Sequence, residues 1–335
     1  MTSTLQVTVY STQPYDADFL RQASVAGIQW HFVGEALNLQ TAALAAGSQA
    51  VCVFVNDDLS APVLEVLAQT GIRAVALRCA GFNNVDIDAA NRLGIRVARV
   101  PAYSPEAVAE HCVAMMLCLN RKLHKAYNRV RDDNFSLQGL IGFNLCGKTV
   151  GLIGTGRIGV ATARILHGFG MQILCFDPKP QPEMLPPSAR YVDLKQLYRD
   201  SDIISLHCPL TPDSHHLINA TSLAQMKDGV MLINTSRGGL IDTKAVITAL
   251  KSHKIGLLGL DVYEQEADLF FKDLSDQMIS DEVFQRLLTF PNVLITGHQA
   301  FLTQEALTQI SQTTVQNLQL LCAGAACSNE LTSRS

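Results

Sequence analysis

Short β-branched apolar runs alternate with amphipathic stretches along nearly the whole chain, and this alternation confines it to the α/β class. The runs predicted as strands are Gln6–Tyr10, Ala50–Val55, Ala74–Leu77, Arg96–Arg99, Thr149–Ile153, Gln172–Phe176, Ile203–Leu206, Val230–Asn234, Leu257–Asp261 and Val293–Thr296. Between them lie helical patterns such as Leu59–Gln69, Ile87–Leu93, Gly159–Phe169 and Thr243–Ser252. Strands apolar on both sides need helices on both faces, which points to parallel sheets.

The series occurs twice, from Gln6 to about Val100 and from Lys148 to about Gly297. Two domains suit a chain of 335 residues. A helical stretch from Pro105 to about Val130, opened by Ser104-Pro105-Glu106, reads as an interdomain helix. A last amphipathic stretch, Thr303–Leu321, is placed to return to the first domain, and the tail Ala323–Ser335 is expected to fray. The segment Asp268–Asp281 breaks the rhythm by setting two phenylalanines among acids. It reads as an insertion whose rings pack on the surface below, the alternative being a mobile element or subunit contact near the active cleft.

The charge balance excludes some partners. Lys and Arg number 26 against 30 Asp and Glu, a net charge of −4, which disfavours nucleic acid and anionic membrane surfaces. No apolar run approaches the ~18–20 residues that span a bilayer, and Met1–Val9 lacks the pattern of a secretion leader. Nine cysteines are scattered without a CxxC pair. This predicts a reducing cytoplasm with neither disulfide framework nor zinc site, and no metal.

The strongest local signal is KTVGLIGTGRIG, Lys148–Gly159. Its Gly154-x-Gly156-x-x-Gly159 follows an apolar strand and opens a helix. Gly154 permits the tight turn, Gly156 lets a pyrophosphate approach the backbone, and Gly159 lets helix and strand pack closely. The helix start, with Arg157 and Ile158, offers N–H groups to phosphates. Asp177 ends the next strand, 18 residues beyond Gly159, near the spacing of a carboxylate that holds a ribose 2′-hydroxyl. A carboxylate there repels a 2′-phosphate and favours NAD over NADP, a preference Lys179 can soften. Later strand ends line the same crevice: His207-Cys208-Pro209, Thr235-Ser236-Arg237, and Asp261. Cys208 and Pro209 are expected along the adenosine and His207 in a structural role. Asp261 either meets the nicotinamide carboxamide or holds neighbouring side chains.

Arg237, Glu266 and His298 also follow strands of the second series, so their side chains can converge. Together they suit reduction of a 2-oxo acid. Arg237 has a planar fork for the substrate carboxylate. His298 can give a proton to the developing alkoxide and recover it in reverse. Glu266 can hold the second imidazole nitrogen, fixing the ring and favouring its protonated form.

The segments GLIGTGRIG, HCPLTP, NTSRGGLID, GLDVYEQE and GHQAFLT, in this order, resemble the D-isomer-specific 2-hydroxyacid dehydrogenase family. LRCAGFNNVD (Leu77–Asp86), RVPAYSPEAVAEH (Arg99–His111), YSTQPYD and VFVNDD extend the resemblance over nearly the whole chain and make it most similar to the fermentative D-lactate dehydrogenase branch. The resemblance implies Arg237, Glu266 and His298 as catalytic residues; the spacing of 29 residues after Arg237 selects Glu266 over Glu264. It also implies substrate contacts from the backbone amides of Ala80-Gly81 and from Tyr103, besides Arg237 and His298.

The implied fold has two Rossmann-like parallel-sheet domains. An NAD-binding domain (102–299) is inserted into a discontinuous, flavodoxin-like substrate domain (1–101 plus 300–335), with a cleft that closes on substrate. A homo-oligomer, dimer or tetramer, is implied too. The expected activity is NADH-dependent reduction of pyruvate to D-lactate in the cytoplasm. The alternatives are a dehydrogenase of a larger 2-oxo acid and an NAD-sensing, corepressor-like binding protein. One departure is Gly297 before the histidine, where many relatives carry Pro; it is not expected to alter the chemistry.

Overall fold

A computed structural model describes residues 4–24 and 27–333. The chain forms two compact units, one from Met1–Ser104 with Leu302–Ser335, the other from Pro105–Phe301.

The first unit carries a five-stranded parallel sheet: β1 (Leu5–Val9), β2 (Ile28–Phe32), β3 (Ala50–Val53), β4 (Ala74–Leu77) and β5 (Arg96–Ala98), in the order β2-β1-β3-β4-β5. This is the flavodoxin-like order. The central strands β3 and β4 are buried throughout, as their unbroken apolar runs require. Asp86 caps the following helix Ile87–Leu93 by accepting from the Ala89 amide at 2.8 Å, and Gly94, with φ +67°, ends it. The C-terminal helix Gln304–Cys322 supplies Leu318 and Leu321 to the core beneath Val7 and Val9. It therefore completes this sheet's cover.

The tail does not fray. Arg96 grips Glu330 with two bonds of 2.8 and 2.6 Å and also donates to the carbonyls of Leu321 and Ala325 at the helix end. The Leu331 amide donates to Val97 O at 2.7 Å, and Glu330 bridges Ala98 in antiparallel fashion. A bidentate guanidinium–carboxylate pair, backbone bonds and the packing of Cys327 and Leu331 against the core hold a tail that is otherwise small and polar. Residues 334 and 335 lie outside the described ones.

The second unit carries seven parallel strands: β6 (Thr149–Ile153), β7 (Gln172–Phe176), β8 (Ala189–Tyr191), β9 (Ile203–Leu206), β10 (Val230–Asn234), β11 (Ile255–Leu260) and β12 (Val293–Ile295). Their order is β12-β11-β10-β9-β6-β7-β8. The chain reverses direction across the sheet between β6 and β9, and a doubly wound sheet binds its ligand beyond the strand ends at such a switch.

The stretch read as one interdomain helix is two, Pro105–Arg121 and Leu123–Arg131, separated by Lys122 in the left-handed conformation (φ +53°). The first belongs to the core of the second unit. Its Cys112, Val113, Met116 and Leu119 pack with Val150 and Leu152 of β6 and with Ala163 and Leu166 of the helix Arg157–Gly168. Its length is explained by that burial.

Candidate active site

The turn after β6 is built as its glycines predict. Gly154 has φ +98°, and a Cβ there would lie 2.6 Å from the Cys208 nitrogen. A Cβ on Gly159 would lie 2.1 Å from Gly154 O. At Gly156, by contrast, a Cβ would meet nothing within 4 Å, so open space stands over the first turn of the helix Arg157–Gly168. Tight packing behind and free space in front is the cradle a pyrophosphate needs. Asp177 accepts from the Thr155 amide and the Lys179 amide, both at 2.8 Å. The Thr155 hydroxyl donates to the same carboxylate at 3.2 Å, and a carboxylate has about four acceptor positions, so one remains for a ribose hydroxyl. The residues present fit NAD.

The end of β9 meets the end of β10 through Ser236, whose hydroxyl donates to Cys208 O at 2.7 Å. Burial pushes the Cys208 thiol up to about 11, so it stays protonated. His207 hydrogen-bonds Ser205 at 3.0 Å, and burial lowers its imidazole to about 4. The ring is thus neutral and tied to its own strand. Thr235 is buried, Arg157 and Pro209 are exposed, and Ile158 lies between.

β10, β11 and β12 are neighbours, and Arg237, Glu266 and His298 follow their carboxyl ends in that order. The ladder continues past the strands: Asp261 N donates to Asn234 O, and Thr296 N to Leu260 O, both at 2.9 Å. Gly238 presses so closely on the next segment that a Cβ would sit 2.1 Å from the Tyr263 carbonyl carbon. The Arg237 turn and the segment leading to Glu266 are thus in backbone contact. Arg237 itself donates to Ser236 O at 2.7 Å.

His298 Nδ1 lies 2.7 Å from Glu266 Oε1, with both side chains 16% exposed. The other carboxylate oxygen of Glu266 accepts from the Tyr263 amide at 3.0 Å. His298 holds φ +55°, a left-handed conformation that costs a non-glycine residue about 1–3 kcal/mol. Asp261 offsets that cost. It is fully buried and accepts from Thr296 Oγ1 and from the amides of Gln299 and Ala300, the last two at 2.9 Å. Burial opposes its ionisation, but hydrogen bonds from His111, Thr296 and those amides prevail and hold the carboxyl below its usual range. Of the two roles open to Asp261, this arrangement exhibits the second, anchoring the loop that presents His298.

The segment after Glu266 departs in part from the surface-packing expectation. Phe270 is buried edge-on against Phe284, with centroids 6.0 Å apart. Phe271, at φ +64°, turns the other way and tilts onto the His298 ring at 5.6 Å. Sequence reasoning gave no role to this ring or to His111, whose Nε2 lies 3.2 Å from Thr296 Oγ1. Neither contact leaves a spacing signal, since each depends on where separate strands end.

In the first unit, Ala80 and Gly81 follow β4. Arg99 donates to Ala80 O at 2.7 Å and the Cys79 thiol to Gly81 O at 3.3 Å. The carbonyls are thereby fixed, and no group among the described residues accepts from the two amides. Tyr103 is half-buried on the segment after β5.

Residues 113–300 match the NAD binding domain of the D-isomer specific 2-hydroxyacid dehydrogenases. The chain is 58% identical over 328 residues to the D-lactate dehydrogenase of Escherichia coli K12, covering 98% of this chain and 100% of that one. The chain belongs to the D-isomer-specific 2-hydroxyacid dehydrogenase family. Among solved members of that family, the pyruvate reductase of Chlamydomonas reinhardtii is 47% identical with a TM-score of 0.92, covering 98% of this chain and 99% of that one. A D-lactate dehydrogenase from Lactobacillus jensenii, solved with NAD+, is 30% identical with a TM-score of 0.81, covering 98% and 100%. The family fold is the pair of parallel α/β sheets described above, and its cofactor is NAD.

Proposed function

We propose that the chain is an NAD-dependent D-lactate dehydrogenase that reduces pyruvate to D-lactate. The observation that carries this reading is the 2.7 Å contact of His298 with Glu266, on strands adjacent to the one that Arg237 follows. When bound at the Gly154–Gly159 turn, NADH supplies the hydride that reduces C2 of pyruvate. Gly154, Gly156, Arg157, Ile158, Gly159 and Asp177 hold its pyrophosphate and ribose, and Cys208, Pro209, Thr235 and Ser236 line the crevice beside them.

Glu266 occupies His298 Nδ1, which leaves Nε2 as the nitrogen that delivers a proton to the ketone oxygen as it becomes an alkoxide. One proton and one hydride convert ketone to alcohol, and the neutral imidazole takes the proton back in reverse. Glu266 holds the ring and balances the positive charge of its protonated form. Arg237, rotated from Ser236 O, grips the substrate carboxylate with its fork. In the other unit, the amides of Ala80 and Gly81, which have no acceptor among the described residues, are donors suited to a carboxylate, and Tyr103 follows β5. The family's activity on a larger 2-oxo acid remains the second reading, and pocket size decides it.

A homo-oligomer fits one feature of the second unit. Phe135, Leu137 and Ile141 expose 71%, 79% and 86% of their surface on one segment, an apolar area that favours burial against a second copy. No helix among the described residues is long and apolar enough to cross a membrane; a cytoplasmic location is part of the proposal.

The test is loss of NADH absorbance with a panel of 2-oxo acids, followed by chiral analysis of the product. Pyruvate as best substrate with a D product is expected. A protein that binds NADH but turns over none of them would instead be a sensor. Arg237→Lys should cost about 10²–10³ in kcat/KM for pyruvate, because an ammonium cannot make the two-point grip.

A further inference from the structure

We propose that His215, His216 and Glu264 form a binding site for a transition-metal dication such as Zn2+. The sequence shows no metal-ligand spacing here, since 48 residues separate His216 from Glu264. The fold brings them together: one ligand atom from each of the three side chains lies within 4.8 Å of the others. His216 Nε2 is 2.6 Å from Glu264 Oε1, and the rings of His215 and His216 stack with centroids 3.9 Å apart. Bonds of about 2.0–2.2 Å to a tetrahedral Zn2+ place ligand atoms roughly 3–3.5 Å from one another, so binding requires the stacked rings to swing until both nitrogens face the ion and the His216–Glu264 hydrogen bond to open around it. Two imidazoles and a carboxylate select borderline cations over Mg2+ or Ca2+, and solvent at the exposed His215 supplies the fourth position.

Two further features support a built site. Thr243 donates its hydroxyl to Glu264 Oε2 at 2.9 Å, the outer contact that orients a metal-binding carboxylate. His216 adopts φ +50°, a strained conformation, and its amide is fixed by Gly239 O at 2.9 Å. The location gives the site a consequence. Gly239 is two residues from Arg237, and Glu264 is two from Glu266. A bound cation would bolt the loop after β9 to the segment after β11, next to the turn that carries Arg237. This inference stands apart from the proposed reaction, because it is read by binding and not by turnover.

The experiment titrates Co2+ into the metal-stripped full-length protein and follows visible d–d absorption. One equivalent with the intense bands of tetrahedral cobalt, displaced by Zn2+, is expected. His215→Asn, at an exposed position, should keep the parent's circular dichroism and weaken Co2+ binding at least about tenfold. Absence of the bands in the parent, or equal Co2+ affinity in a folded His215→Asn protein, would overturn the assignment.

Discussion

Two histidine–glutamate pairs share the short segment Tyr263–Glu266, and their similarity makes their difference informative. His298–Glu266 and His216–Glu264 close to 2.7 and 2.6 Å, and both histidines hold left-handed backbone. Their surroundings differ. In the first pair both side chains are 16% exposed, the carboxylate's other oxygen is tied to the Tyr263 amide, and the histidine loop hangs from buried Asp261. In the second pair the side chains are 35% and 28% exposed and the other oxygen meets a hydroxyl. The hydrogen bond alone does not make an acid–base couple. On the proposed reading, exclusion of water and a fixed backing suit the first pair to that work, because a charge shared in a drier, rigid setting is worth more than one shared with solvent.

Replacing the histidines is the strongest way to break this comparison. His298→Gln should lower kcat by about 10²–10⁴ while fluorescence titration finds NADH binding retained. If kcat survives, His298 is not the proton donor. Glu266→Gln should cost about 10–100-fold in kcat, the equivalent of one charge-assisted bond; a loss as slight as that of Glu264→Gln would mean that burial adds nothing.

Asp261→Asn tests the backing. It should remove about 1–3 kcal/mol of stability at neutral pH, seen as a lower urea midpoint. The folded carboxyl titrates below its unfolded value, so its contribution is present above the unfolded pKa and is lost as pH falls through the folded one. The gap between parent and variant should therefore narrow in strong acid, and a constant gap would count against the ionised role. Phe271→Ala sharpens the comparison further. Loss of an aromatic contact worth ~0.5–1.5 kcal/mol should lower kcat about 2–10-fold, and an unaltered kcat would leave the ring a packing role only. The smallest effect belongs to the exposed pair, where His216→Asn should cost under about 1 kcal/mol in urea unfolding of the metal-free protein.

Much of the molecule was legible because buried parallel strands announce themselves. β3, β4, β6, β9 and β10 are long apolar runs and were located to within two residues at either end. The two strands that sequence reading missed, Ile28–Phe32 and Ala189–Tyr191, are sheet edges with alternating exposure. An edge covered on fewer sides needs fewer apolar residues, and its pattern fades into loop. At the site, the order of Arg237, Glu266 and His298 after successive strands was readable from the sequence, and the fold brings Glu266 to His298. The contact of Phe271 with His298, and the meeting of His215 and His216 with Glu264, arise from loop shapes that no spacing encodes.

The anchoring of Leu318, Leu321 and Glu330 onto the first sheet has a consequence for biogenesis. Residues 5–98 are made more than 200 residues before the helix Gln304–Cys322 that covers them. At about 5–20 residues per second, roughly 10–40 s of synthesis separates the two. The later-made Rossmann unit can therefore finish first, while the amino-terminal strands wait with one apolar face bare, the interval in which a nascent chain most needs a chaperone.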